Sequence, residues 1–140
     1  MLFYAFAAIQ GPTEAGREHY MKREQIAKNI VADLKELAAL TSDADGAQRI
    51  AWTPTFKKAT EWFAQKMQAA GAEVWTDAAG NSWAKFAGES KECIIIGSHL
   101  DSVPDGGWLD GALGVVAGMG IGAYGLPDKK PAKTLYVVGW

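Results

Sequence analysis

Gly97-Ser98-His99-Leu100-Asp101-Ser102-Val103-Pro104-Asp105-Gly106-Gly107-Trp108-Leu109-Asp110-Gly111-Ala112-Leu113-Gly114-Val115 is the stretch that decides how this chain is read. Just before it, Cys93-Ile94-Ile95-Ile96 is a continuous apolar run, which suits a strand covered on both faces. Just after it, a glycine-rich apolar segment from about Asp110 to Tyr124 reads as a buried helix. The apolar stretch here is shorter than the roughly 20 residues a membrane span needs. A buried strand therefore runs out into a loop and returns through a helix. In open α/β sheets, ligands bind beyond the carboxyl ends of the strands, so this loop is where chemistry is expected.

His99 and Asp101 are two residues apart, and on extended chain such side chains point the same way. Two arrangements follow. Both side chains bind one metal, or His99 binds it while Asp101 hydrogen-bonds the other ring nitrogen and fixes the tautomer. Asp105 and Asp110 follow in a loop that holds Pro104, Gly106, Gly107 and Gly111, and such a loop can turn a carboxylate back toward the strand end. A carboxylate can bridge two cations about 3.5–4 Å apart, and Asp110 is the candidate bridge. Taken singly, each residue has a plainer reading. Asp110 makes a good helix N-cap, His99 a hydrogen-bonded structural histidine, Asp101 an Asx-turn, and Asp105 a solvated loop residue. The functional reading rests on their joint arrangement.

Outward from this loop, Ile26, Ile30, Val31, Leu34, Leu37 and Leu40 form one apolar stripe and predict a helix over residues 22–40. Thr53-Pro54 reads as an N-cap followed by proline in the first helical position, and Gly71 closes that second helix. Ala72–Thr76 and Ser82–Ala87 read as strands joined by the turn Asp77-Ala78-Ala79-Gly80-Asn81. Thr134–Trp140 is a further buried strand. Helices, then strands, a helix and a strand indicate an α/β layered sheet. Residues 1–21 read as a loose N-terminal extension, because Gln10–Tyr20 is polar and carries glycine and proline, and the apolar start Met1–Ile9 lacks the basic flank of a signal peptide.

Composition is that of a soluble globular chain: 140 residues, 49% hydrophobic and 21% charged. A formal net charge of −2 argues against a nucleic-acid partner, and no segment suits a membrane. The single cysteine, Cys93, allows no internal disulfide; it reads as buried and inert, and a cytoplasmic location is the simplest. Several apparent motifs fail on context. Gly120-Ile121-Gly122-Ala123-Tyr124-Gly125 has dinucleotide spacing but ends a helix instead of opening one. Gly106 and Gly111 have phosphate-loop spacing, yet Ala112 stands where lysine is needed. Gly114, Gly118 and Gly122 are explained by close helix packing. Ser98 and Ser102 have no second histidine to activate them. His19 falls in the loose N-terminal part, and Trp62 and Phe63 read as core.

The Gly97–Val115 stretch resembles the amidase/hydantoinase/carbamoylase group of zinc hydrolases, which sit with the dinuclear aminoacylase and carboxypeptidase-like enzymes. Arg49-Ile50-Ala51-Trp52-Thr53-Pro54, the Ala70-Gly71 turn and the Asp77–Asn81 turn fall at matching places, so the likeness covers residues 22–140. The resemblance implies a three-layer αβα zinc-hydrolase-like sheet, with residues 22–140 as the N-terminal portion of a catalytic domain that precedes a lid domain. It implies His99 as a ligand of one metal, Asp110 as the carboxylate bridging two divalent metals (zinc, or manganese or cobalt), and Asp101 as the catalytic acidic partner of the histidine. The implied reaction is hydrolysis of a non-peptide carbon–nitrogen bond in a small N-carbamoyl amino acid, ureido acid or allantoate. Full-length relatives are expected to be homodimers. The glutamate pair that the family carries follows the strand resembled by Thr134–Trp140 and is not reached, so an incomplete, inactive fragment is expected. The alternatives are an aminoacylase or peptidase of the same superfamily, and a non-catalytic piece whose final strand and open sheet edge recruit another chain.

Overall fold

The computed structural model describes residues 14–126 and 130–140. The elements are α1 (Glu14–Thr41), α2 (Pro54–Ala69), β1 (Glu73–Thr76), β2 (Ser82–Phe86), β3 (Ser90–Ser98), α3 (Ala112–Gly125) and β4 (Lys133–Gly139). They lie close to the expected segments, with one correction at the start. Residues 14–21 are helical, not a loose extension. Ala15, Arg17, Glu18, Met21 and Lys22 are strong helix formers, and Glu14 suits the first turn. A reading built on the apolar stripe begins only where that stripe begins. Residues 1–13, and with them the reading of Met1–Ile9, lie outside the described residues.

The second helix starts as its sequence requires. The Thr53 hydroxyl accepts a hydrogen bond from the Phe56 N–H at 3.2 Å, and Pro54 occupies the first turn. The β1–β2 turn is built on Asp77, whose carboxylate accepts from the backbone N–H groups of Ala79 and Asn81, from the Asn81 amide and from the Trp83 indole. Gly80 takes the positive φ of +91° that the turn needs.

The sheet is mixed, in the order β1-β2-β4-β3. β1–β2 and β2–β4 are antiparallel, and β3–β4 is parallel across the α3 connection. The final strand, β4, is therefore internal. The expectation of an exposed final strand is corrected, since both its edges are already paired, and the open edges of the sheet are β1 and β3. Val74, Ala84, Phe86, Leu135, Val137 and Ile96 form one side of the sheet and pack into a single core with Leu34, Leu37, Phe63, Met67, Val115 and Met119 of the helices. α3 lies close because its small residues admit neighbours: a side chain at Gly118 would meet Ile96 and Val137, one at Gly120 would meet Ile30, and one at Gly122 would meet Phe86.

The other side of the sheet carries no described helix. On it Trp75 stacks on Trp83 (ring centroids 6.0 Å apart), and Tyr136 and Trp140 meet Trp83 edge-on. The described chain thus supplies a mixed sheet and one helical layer of the expected three. β3 is an edge strand, so Ile94 and Ile95 are about half exposed and Cys93 is exposed. The expectations of a strand covered on both faces and a buried cysteine are corrected. α3 runs from Ser98 past Ile96 and Val137 toward Phe86, leaving the start of β3 bare.

The three helices are tied by a polar clip. Lys66 of α2 donates to Asp33 (2.9 Å) and Glu36 (2.6 Å) of α1, the Trp62 indole donates to Glu36 (2.9 Å), and the Tyr124 hydroxyl of α3 donates to Asp33 (2.6 Å). Burial opposes the Lys66 charge, but the Glu36 and Asp33 hydrogen bonds outweigh it and raise its pKa. Burial, then the Asp33 contact, push the Tyr124 phenol up to about 12.

Candidate metal centre

The parallel strands β3 and β4 end together, with Ser98 opposite Gly139, and the chain leaves β3 directly into His99. Asp101 and Asp110 both come to the His99 ring. The Asp101 carboxylate stands 3.1 Å from His99 Nδ1, and the Asp101 carbonyl 3.2 Å from it. Both partners are acceptors, so in the neutral ring Nδ1 carries the proton and Nε2 keeps its lone pair. Nε2 faces the Asp110 carboxylate at 3.9 Å, beyond hydrogen-bond length. Of the two arrangements left open, the geometry favours Asp101 as holder of the ring.

Asp110 is not a helix cap. Gly111 is the N-cap of α3, with φ +65°, and no side chain bonds the first turn. The Asp110 side chain stays 68% exposed and free to bind. Gly111 is obligatory here, because a side chain on it would strike the His99 carbonyl and lie 2.5 Å from the His99 ring. Asp105 points elsewhere. It is exposed, at φ +56°, and accepts from Gln48 at 2.7 Å beside Asp43 and Asp45. These three acids form a solvated cluster of their own.

Arg49, which the sequence presents only as part of a matching stretch, lies directly beneath the His99–Asp110 loop. It is fully buried. Its Nε donates to the Leu100 carbonyl at 3.0 Å, and its terminal nitrogens reach the Trp108 carbonyl and the Thr41 hydroxyl, each at 3.4 Å. Burial lowers its pKa, while the charges of Asp101 and Asp110 pull the other way. The sequence signal was faint: one cation, between Gln48 and Ile50, in a short linker. Ser102 is also spent on structure, its hydroxyl accepting from the Arg49 N–H and donating to the Ala47 carbonyl. That agrees with its dismissal as a nucleophile. The His19 side chain lies outside the described residues.

The donor set fits a zinc-type ion: an imidazole with a free Nε2, a second-nitrogen carboxylate that sets its tautomer, and a facing carboxylate. Two donors on one ion at about 2.0–2.2 Å each stand roughly 3–4 Å apart, the range in which His99 and Asp110 already lie.

No protein-family model matches the chain. It is 36% identical over 95 residues to an N-carbamoyl-L-amino-acid amidohydrolase of Paenarthrobacter aurescens, covering 66% of this chain and 23% of that protein. It is 34% identical over 97 residues to a probable allantoate deiminase of Oryza sativa subsp. japonica, covering 68% of this chain and 20% of that protein. In structure it matches a hydantoinase/carbamoylase family amidase of Burkholderia ambifaria with a TM-score of 0.76 at 33% identity, covering 81% of this chain and 29% of that one. The chain thus spans a fifth to under a third of the length of these relatives. In sequence and in fold, this chain belongs to the hydantoinase/carbamoylase amidases, as a part of their length.

Proposed function

We propose that this segment supplies the first half of a metal centre that hydrolyses linear carbon–nitrogen bonds in small N-carbamoyl or ureido acids. The observation that carries the reading is the free Nε2 of His99 facing the Asp110 carboxylate, with Nδ1 held by Asp101. His99 and Asp110 would hold divalent metal. The metal, when bound, polarises a carbonyl and lowers the pKa of a water toward ~7. Asp101 orients the imidazole and keeps its proton on Nδ1, which strengthens Nε2 as a donor. Zinc usually takes three or four protein ligands, so this pair is a partial set and the chain alone binds weakly. The substrate class comes from the relatives, an N-carbamoyl-L-amino-acid amidohydrolase and a probable allantoate deiminase.

Titration calorimetry with zinc on the 140-residue chain tests the site. His99→Gln and Asp110→Asn should each weaken binding at least about tenfold, and Asp101→Asn by about ten- to a hundredfold. Unchanged affinity in His99→Gln would sink the reading.

A further inference from the structure

Arg49 is buried without a carboxylate in ion-pair contact among the described residues, and two of its side-chain hydrogen bonds go to the site loop, with a third to the Thr41 hydroxyl at the end of α1. The Leu100 carbonyl lies between His99 and Asp101, and the Trp108 carbonyl lies two residues before Asp110. The Arg49 main chain is fastened to the same loop. Its N–H donates to the Ser102 hydroxyl, and its carbonyl accepts from the Ser102 N–H, both at 2.9 Å.

We propose that Arg49 is a positioning residue for the His99–Asp110 pair, tying the two limbs of the loop at a fixed separation from beneath. The inference rests on the reading of His99 and Asp110 as metal ligands. A planar guanidinium holds two carbonyls in a set geometry, which an ammonium on a flexible stem cannot do. Burying a charge is costly unless it is hydrogen-bonded and neutralised. Here the carbonyls bond it, and the two site carboxylates oppose its charge at longer range. Two effects compete in a metal-bound site. Removing the cation would favour metal electrostatically, while releasing the limbs would disfavour it. The bonds to the loop are direct, whereas Asp110 is largely solvated and its charge is screened. Positioning therefore wins.

Arg49→Lys and Arg49→Met test this, with folding checked by circular dichroism. Zinc affinity is read by calorimetry, and the His99 tautomer in the metal-free chain by long-range proton–nitrogen NMR, assigned with His19→Gln. Both variants should bind zinc at least about tenfold more weakly and lose the Nδ1-protonated tautomer of His99. A folded variant with wild-type affinity and tautomer, or with tighter binding, overturns the proposal even if its melting temperature falls. A wild-type chain that takes up no zinc sinks the metal reading alone, and the tautomer comparison still decides the role of Arg49. If both variants unfold, the Arg49 Nε–H resonance of the wild type decides. It should shift on zinc addition in the wild type and not in Asp110→Asn; a resonance that never moves overturns the proposal.

Discussion

Gly111 carries two constraints at once. Its φ of +65° disfavours any L side chain, and the space a side chain would fill belongs to His99. Gly111→Ala should therefore destabilise the chain by about 2 kcal/mol or more and weaken zinc binding together with stability. Thermal melts and calorimetry check this; an alanine variant with normal affinity would show that the ring has room to move. Trp52 is the contrasting case. It also has positive φ, +67°, but it is 82% exposed and only its ring edge covers Gly80.

At the scale of the element, the β1–β2 turn is held by one carboxylate. Hydrogen bonds from the Trp83 indole, then from Asn81 and the Ala79 N–H, hold the Asp77 pKa down to about 2. Its folded value lies below its unfolded value near 3.9. The stabilisation is therefore present above about pH 4 and is lost as pH falls toward about 2. Glu36 in the helix clip is lowered too, by the Lys66 and Trp62 hydrogen bonds, and acts in the same direction. Melting temperature should drop across this acid window, and Asp77→Asn should lower it at neutral pH while flattening the acid limb. An unchanged slope in the variant would remove Asp77 as a contributor. Both the turn and the α2 cap were legible in the sequence, because each is closed by residues no more than six apart.

For the whole molecule, the asymmetry of the sheet matters most. One side is packed by helices except at the start of β3, and the other presents Trp75, Trp83, Tyr136 and Trp140. Cys93 lies on that side, on the edge strand, and is exposed. A thiol reagent should label Cys93 in the native chain within about tenfold of its rate in denaturant. Protection by many orders of magnitude would mean that this face is covered in solution. Among the described residues, no helix is long and apolar enough to cross a membrane.

The sequence by itself determined the order of the elements, the cap at Thr53, the Asp77 turn and the loop that carries His99, Asp101 and Asp110. Those features depend on neighbours along the chain, through periodicity, turn chemistry and the alternation of a strand. Tertiary structure alone decided the rest. Asp110 serves no cap because Gly111 takes that position under His99. Cys93 and the Ile94–Ile95 run are exposed because β4 inserts between β2 and β3 and leaves β3 at the edge. Arg49 became visible only when Leu100 and Trp108, some fifty or more residues later, closed over it. Which face a strand buries, and what a buried cation holds, are set by contacts distant in the chain, and no local pattern encodes them.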